Sequence, residues 1–166
     1  MTERTLVILR HAKAERPGAV PDHERRLSAR GEADAGAAGA WLAATGRYPD
    51  LVLCSSAART RGTWQRVAAA LGGAGTVDVR YEPALYSGGT AELVDLLRQV
   101  PPGTGTVLLI GHNPVLSQLS ALLDPAGTGD PDGLATSGLA VHAVTGGWAG
   151  LGPGGAAWRD GHTARG

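Results

Sequence analysis

The chain has 166 residues, of which 43% are apolar, and its 15 basic and 15 acidic residues give a formal net charge of zero. This length and composition predict a single domain over residues 1–166 with a core of its own. The charge balance argues against a nucleic-acid partner, and the absence of an apolar run of roughly 20 residues argues against a membrane span. The only cysteine, Cys54, can form no intrachain disulfide, and no targeting segment is recognisable, so we expect a cytoplasmic location.

The first predicted element is a buried strand over residues 6–9, followed by Arg10 and His11. Consecutive β-compatible apolar residues are typical of a central parallel strand that is buried on both faces. Open α/β sheets bind ligands at the carboxyl ends of such strands. Arg10 and His11 would offer a permanent cation and an imidazole that can act as base, acid or nucleophile.

A polar loop over residues 12–27 comes next, and its length favours a functional loop over a simple connection. Ser28 is the predicted N-cap of a helix that runs to about residue 44. A second buried strand over residues 51–56 contains Cys54 and leads into a helix that ends near residue 72, with Trp64 on its buried face.

The second half of the chain continues the alternation, with a strand at 76–81, a helix at 90–100 and an apolar strand at 107–112. Asn113 is the predicted N-cap of the next helix, with Pro114 at its first position. Residues 139–144 alternate weakly like an edge strand. Residues 146–166 are glycine-rich and predict one short strand and a loose tail.

The chain lacks the short motifs of several enzyme classes. It has no GxxxxGK[ST] phosphate loop, no GxGxxG after a strand, no GxSxG elbow and no HExxH. The predicted strand ends carry arginine, serine and histidine, whereas hard metal ions prefer carboxylates. We therefore expect neither a metal ion nor a cofactor.

Four side chains converge at the carboxyl edge of the predicted sheet, namely Arg10, His11, His112 and, in the first turn after the second strand, Arg59. Two guanidinium groups and a second imidazole can neutralise an oxyanion that has three equatorial oxygens. Helix N-termini near Ala57 and Asn113 add backbone dipoles of the same sign. The pattern predicts a phosphoryl site.

The chain resembles the histidine phosphatase superfamily, also called phosphoglycerate mutase-like, and within it the short phosphohistidine phosphatase branch of the SixA type. The matching segments are LRHA at 9–12, LSARG at 27–31, SSAAR at 55–59 with Thr63 beyond, GHNP at 111–114 and TS at 136–137. The resemblance implies a three-layer α/β/α fold with a mostly parallel central sheet of about six strands.

In that family the histidine after the first strand accepts the phosphoryl group, and this role falls on His11. The resemblance places its companions on Arg10, Arg59 and His112, and we add Asn113 as a substrate-binding residue. It implies a metal-independent phosphatase in which neutral His11, its pKa depressed by the flanking cations, attacks phosphorus. His112 would be protonated when the phosphoryl group is bound.

The chain departs from the family pattern at two places. Ala12 replaces the glycine of the Arg-His-Gly signature. Relatives that act on metabolites carry a glutamate soon after a leucine before the third helix, but here Leu85 is followed by Tyr86. Glu82 is the candidate general acid in its place, and Glu15 and Asp22 on the long loop are others.

The predicted function is therefore protein phosphohistidine phosphatase, and the predicted partner is a phosphorylated protein. No insertion after Arg59 is long enough to form a lid, so we expect a site open to a macromolecule. A small-metabolite phosphomonoesterase or mutase of the same superfamily remains an alternative, as does a non-catalytic phosphate-binding module.

Overall fold

The computed structural model describes residues 3–72, 77–127 and 133–166. The strands are β1 (Arg4–Arg10), β2 (Leu51–Ser55), β3 (Asp78–Glu82), β4 (Thr106–Gly111), β5 (Gly138–Val144) and β6 (Ala156–Thr163). The α-helices are α1 (Ala29–Ala44), α2 (Ala58–Leu71), α3 (Ala84–Ser87), α4 (Thr90–Arg98) and α5 (Val115–Leu123). Short 3₁₀ helices lie at Asp22–Glu24 and Trp148–Gly150. Of the helices that the structure describes, none has both the length and the apolar content that crossing a bilayer needs.

The described strands form one six-stranded sheet in the order β3-β2-β4-β1-β5-β6. The first four of these are mutually parallel, while β5 runs antiparallel to both β1 and β6. This confirms the predicted α/β class with a mostly parallel sheet of six strands. The expectation of an edge strand at 139–144 is wrong, because β6 pairs with the outer side of β5 and is itself the edge.

The sheet is covered on both faces, which confirms the three-layer arrangement. Successive side chains of a strand point to opposite faces. In β1, Leu6 and Ile8 pack into a cluster with α4 and α5, whereas Val7 and Leu9 pack into one with α1 and α2. All four are at most 1% exposed. The central strand is thus held from both sides, and its carboxyl end is fixed in position.

The predicted core assignments of Cys54 and Trp64 are confirmed. Both are buried and belong to the cluster on the α1 and α2 face. Burial raises the pKa of the Cys54 thiol to about 12, so the group is a neutral, unreactive apolar side chain at physiological pH.

Helix starts follow the capping residues closely. Ser28 caps α1 as predicted, since its hydroxyl accepts a hydrogen bond from the Gly31 N–H at 3.1 Å. The start of α5 is one residue later than predicted: Pro114 occupies the N-cap and Val115 is the first helical residue. Asn113 still supplies the cap, because its Oδ1 accepts from the Ser117 N–H at 3.2 Å.

The other predicted boundaries shift by one or two residues, as is usual where helix ends fray. The helix α4 ends at Arg98 rather than at residue 100, and β3 ends at Glu82 rather than at residue 81. The predicted start of that strand, residue 76, lies outside the described residues.

The sequence predicted one short strand and a loose tail for the carboxyl-terminal segment, and of these the strand is confirmed and the loose tail is wrong. The segment forms the eight-residue strand β6, which pairs along β5. Beyond it, the Ala164 N–H donates to the Ser137 carbonyl at 3.1 Å, and the Gly166 N–H donates to Asp34 Oδ1 at 3.0 Å. These bonds hold the segment to the sheet and to α1, contacts that composition does not reveal.

Candidate active site

The parallel register of β1 and β4 brings the two predicted histidines together. Arg10 pairs with Gly111, and the N–H of His11 donates to the Gly111 carbonyl at 3.0 Å. The next residue on each strand is therefore a histidine at the same edge. The ring centroids of His11 and His112 lie 5.3 Å apart.

The His11 ring is oriented by its own backbone neighbour. Its Nδ1 lies 2.7 Å from the Ala12 carbonyl oxygen, which can only accept, so Nδ1 carries the proton. The lone pair of the neutral ring is consequently on Nε2. This is the tautomer and the nitrogen that a nucleophile needs.

Ala12 fits where the family signature has glycine. Its Cβ is fully buried in a small cluster with Leu27 and Ala35. Its N–H donates to Thr63 Oγ1 at 3.0 Å, and that hydroxyl donates to the Arg59 carbonyl at 2.8 Å. The methyl group is thus accommodated without disturbing the carbonyl that orients His11.

Burial keeps His11 neutral. It is 8% exposed. Burial, followed by the charges of Arg59 and Arg10, lowers its pKa to about 4, although the bond to the Ala12 carbonyl acts in the opposite direction. The direction agrees with the prediction, but burial contributes more than the flanking cations on which the prediction rested.

His112 is held by a serine that was not predicted as a site residue. Its Nε2 lies 2.7 Å from Ser55 Oγ, which also accepts the Ala57 N–H at 3.3 Å. Nδ1 of His112 is buried and has no hydrogen-bond partner among the described residues. Burial, His11 and Arg59 lower the pKa of His112 to about 3, so the ring is neutral when no anion is bound.

The two predicted arginines also carry unpaired donors. The Arg10 side chain is held at one nitrogen, since its Nη1 donates to the Leu134 carbonyl at 3.0 Å. The Arg59 side chain is buried, at 6% exposure. The Nε atoms of both side chains are buried without a partner in the part of the chain that the structure describes. A buried donor without an acceptor costs about 1–3 kcal/mol. An anion with several oxygens would satisfy such donors together with Nδ1 of His112.

The long loop supplies a carboxylate that contacts Arg59. Asp22 lies in the 3₁₀ helix Asp22–Glu24, and its Oδ2 accepts from Arg59 Nη2 at 3.0 Å and from the Tyr86 hydroxyl at 2.8 Å. Oδ1 accepts from Arg25 Nη2 at 3.0 Å. The bond from Tyr86, followed by that from Arg25, holds the pKa of this carboxyl well below its usual range.

Tyr86 forms one wall of the site. Its ring packs edge-on against two histidine rings. The ring centroids lie 5.5 Å apart for His112 and 4.8 Å apart for His23. His23 Nε2 lies 2.9 Å from Ser56 Oγ, which ties the loop to the end of β2. Among these residues the sequence had marked only Asp22, as an alternative acid. Two features of the sequence could have indicated the others. One is the length of the loop, and the second is that Tyr86 follows Leu85 in the segment where metabolite-acting relatives carry a glutamate.

These contacts modify the expectation of an open site. The prediction considered only the chain after Arg59, whereas the cover comes from the loop before α1 and from Tyr86. The two histidines at the centre are 8% and 9% exposed. The loop before α1 and Tyr86 therefore flank the two histidines, so the site is not bordered only by the chain after Arg59.

Two predicted site residues lie less centrally. Glu82 ends the edge strand β3 beside Ser55, and no hydrogen bond or ion pair of its side chain is found among the described residues. Asn113 accepts from the Ser117 hydroxyl at 2.8 Å and donates to the Leu134 carbonyl at 2.8 Å, so its amide serves the start of α5. A role of either residue toward substrate stays a prediction. Within the described ranges, no group of three His, Cys, Asp or Glu side chains is placed to hold a metal ion.

Comparison with known proteins agrees with this geometry. The family model for the histidine phosphatase superfamily (branch 1) matches residues 6–87. An uncharacterized protein of Mycobacterium tuberculosis is 34% identical over 164 residues, which cover 95% of this chain and all of the relative. The candidate phosphohistidine phosphatase SixA from Nakamurella multipartitia has a TM-score of 0.83 at 34% identity, covering 99% of this chain and 98% of that one. Its counterpart from Agrobacterium tumefaciens has a TM-score of 0.78 at 29% identity, covering 98% and 99%.

The six-stranded sheet with helices on both faces is thus the phosphoglycerate mutase-like fold. The chain belongs to the histidine phosphatase superfamily.

Proposed function

We propose that this protein is a phosphatase that hydrolyses phosphohistidine on a cytoplasmic partner protein, through a phosphorylated His11. One observation carries the proposal: the Ala12 carbonyl holds the proton of His11 on Nδ1, beside a second histidine whose buried Nδ1 has no hydrogen-bond partner among the described residues. A nucleophilic nitrogen beside a buried ring nitrogen that donates once His112 is protonated suits attack on a phosphoryl group.

The reaction has two steps. Nε2 of His11 forms a bond to phosphorus while the bond from phosphorus to the leaving nitrogen breaks, and the leaving imidazole departs with a proton. Water then attacks the phosphorylated His11, breaking the nitrogen–phosphorus bond and releasing inorganic phosphate. Arg10, Arg59 and His112 hold the equatorial oxygens, and His112 takes up a proton when the dianion binds.

The acids near the site favour phosphohistidine as the substrate. An alkoxide, whose parent acid resembles water at about 15.7, needs a proton donor in order to leave. An imidazole with a pKa of about 6.5 leaves readily from a protonated phosphoramidate. Asp22 is held in its ionised form and Glu82 contacts none of the other site residues by a hydrogen bond. The likeness to the candidate SixA phosphatases supports the same substrate class.

A small-metabolite phosphomonoesterase is the second candidate. It is favoured by the low exposure of the two histidines, 8% and 9%, beside which the 3₁₀ helix Asp22–Glu24 and Tyr86 lie. In that case Glu82, at the carboxyl end of β3, would supply the proton.

The test compares a phosphohistidine peptide, an aryl phosphate and 3-phosphoglycerate at one pH. We expect kcat/KM to fall in that order, and His11→Ala to abolish both turnover and acid-labile phosphate labelling of the protein. His162→Ala, on β6, is the matched control and should retain both. Label that persists in His11→Ala contradicts the proposal. If 3-phosphoglycerate is the best substrate and Glu82→Gln loses only that activity, the metabolite phosphatase replaces it.

A further inference from the structure

We propose that Asp22 is a positioning residue that orients the Arg59 guanidinium toward the phosphoryl group. The proposal rests on the function given above, because it assigns Arg59 to the phosphoryl oxygens. Asp22 lies 37 positions before Arg59 and belongs to a different element, so no local pattern links the two residues.

Asp22 occupies one edge of the guanidinium. Its backbone carbonyl accepts from Arg59 Nη1 at 2.8 Å, and its carboxylate Oδ2 accepts from Nη2 at 3.0 Å. The guanidinium is planar and presents its five N–H groups in a fixed fork. Two acceptors on the Nη1 and Nη2 edge therefore fix the plane and the rotation of the whole group.

The adjacent edge of the Arg59 guanidinium carries Nε and shares Nη2 with the first edge. Its Nε is buried and has no hydrogen-bond partner in the described parts of the chain. The second hydrogen of Nη2 lies on this same edge, next to Nε–H. Paired donors of this kind match two oxygens of a phosphoryl group.

Asp22 is anchored independently of Arg59. The Tyr86 hydroxyl donates to Oδ2 at 2.8 Å, and Arg25 Nη2 donates to Oδ1 at 3.0 Å. Arg25 is in turn held by the Glu15 carbonyl, which accepts from Nη1 at 3.1 Å. A carboxylate with three donors is a fixed support for the guanidinium.

Two other roles for Asp22 predict different results. A carboxylate that merely competes with phosphate for Arg59 would weaken phosphate binding, so its removal would strengthen binding. A general acid would act on the leaving group directly, so its effect would persist without Arg59. Positioning predicts weaker phosphate binding on removal and no effect once Arg59 is absent.

The experiment is a double-mutant cycle of Asp22→Ala and Arg59→Ala in the full chain, with Asp22→Asn as a milder variant that keeps one acceptor. The readouts are kcat and KM for an aryl phosphate and the inhibition constant of inorganic phosphate. Glu24→Ala, in the same 3₁₀ helix, is the matched control. Circular dichroism and thermal unfolding confirm that each variant is folded, and Asp22→Asn replaces Asp22→Ala in the cycle if the latter is not.

We expect Asp22→Ala to lower kcat/KM by on the order of 10²-fold, as small misplacements of a binding group do. Phosphate should inhibit this variant less strongly, Asp22→Asn should be intermediate, and adding Asp22→Ala to Arg59→Ala should change little. The proposal is overturned if phosphate inhibits Asp22→Ala more tightly than wild type or if the kinetics of Asp22→Ala are unchanged. It is also overturned if Asp22→Ala lowers kcat/KM as much in the Arg59→Ala background as in wild type. If wild type hydrolyses no substrate, the proposed function fails separately, and the cycle is run on phosphate affinity measured by calorimetry.

Discussion

Ser55 Oγ lies 2.7 Å from His112 Nε2, and both side chains are buried at the carboxyl ends of neighbouring strands, β2 and β4. Because the hydroxyl also accepts the Ala57 N–H, it is fixed by the start of α2. The bond therefore determines which nitrogen of His112 faces the protein and which is free.

The first prediction concerns this bond. Ser55→Ala should lower kcat by about 10- to 100-fold, as loss of a partner that orients a histidine does in metal sites. The adjacent Ser56→Ala is the control, because Ser56 Oγ hydrogen-bonds His23 on the loop and not His112. Steady-state kinetics on an aryl phosphate measure the difference. Equal effects of the two substitutions would show that the orientation of His112 is unimportant.

The second prediction separates two arginines that lie two residues apart on α2. Arg59 is buried at the site, whereas Arg61 stacks on the Tyr81 ring at 4.0 Å and donates to the Ser56 carbonyl at 2.8 Å. Arg59→Ala should cost on the order of 10²- to 10³-fold in kcat, the usual effect of losing one preorganised donor. Arg61→Ala should cost less than 10-fold by the same assay. Equal small losses for both substitutions would place α2 away from the reacting group.

The third prediction concerns the pH dependence of stability. The pKa of His11 is about 4 in the folded chain and 6.5 as its ordinary value. Between these values the unfolded chain binds a proton that folded His11 does not, so the free energy of unfolding decreases as pH falls from 6.5 to 4. The loss is at most about 1.4 kcal/mol per pH unit for this ring. Below about pH 4 the folded ring protonates too and its contribution levels off.

Urea unfolding at pH 7.0 and at pH 4.5 measures this effect. His11→Ala should lose less stability between the two pH values than wild type does, since it lacks one of the titrating rings. His162→Ala on β6 serves as the control and should behave as wild type. An identical pH dependence in His11→Ala would mean that His11 is not held neutral by the fold.

The fourth prediction concerns metal ions. Because the proposed reaction uses only side chains of this chain, EDTA and subsequent dialysis should leave phosphatase activity unchanged within about twofold. Assays with and without added Mg²⁺, Mn²⁺ or Zn²⁺ provide the measurement. Activity that disappears with the chelator and returns with one divalent cation would refute the metal-independent mechanism.

Much of the fold and the centre of the site follow from local pattern. The apolar run before Arg10 and His11 predicts a buried strand that ends in those residues, and the apolar run before His112 does the same for a second strand. Since parallel strands end at one edge of the sheet, the two histidines come together, as the 5.3 Å between their rings shows. Ser28 marks the start of α1 because capping depends on neighbours within one turn.

The remaining features depend on contacts between distant parts of the chain. Asp22 contacts Arg59, which lies 37 positions after it, and Tyr86, which lies 64 positions after it. Neither spacing follows a helical or strand period. Likewise β5 is an inner strand only because β6 pairs beside it. Hydrophobic periodicity, caps and strand ends act over a few residues, so the sequence by itself determined the elements and the histidine pair. The loop contact with Arg59, the serine that orients His112 and the place of the last strand were decided by tertiary packing, because the partners meet only when the sheet is assembled.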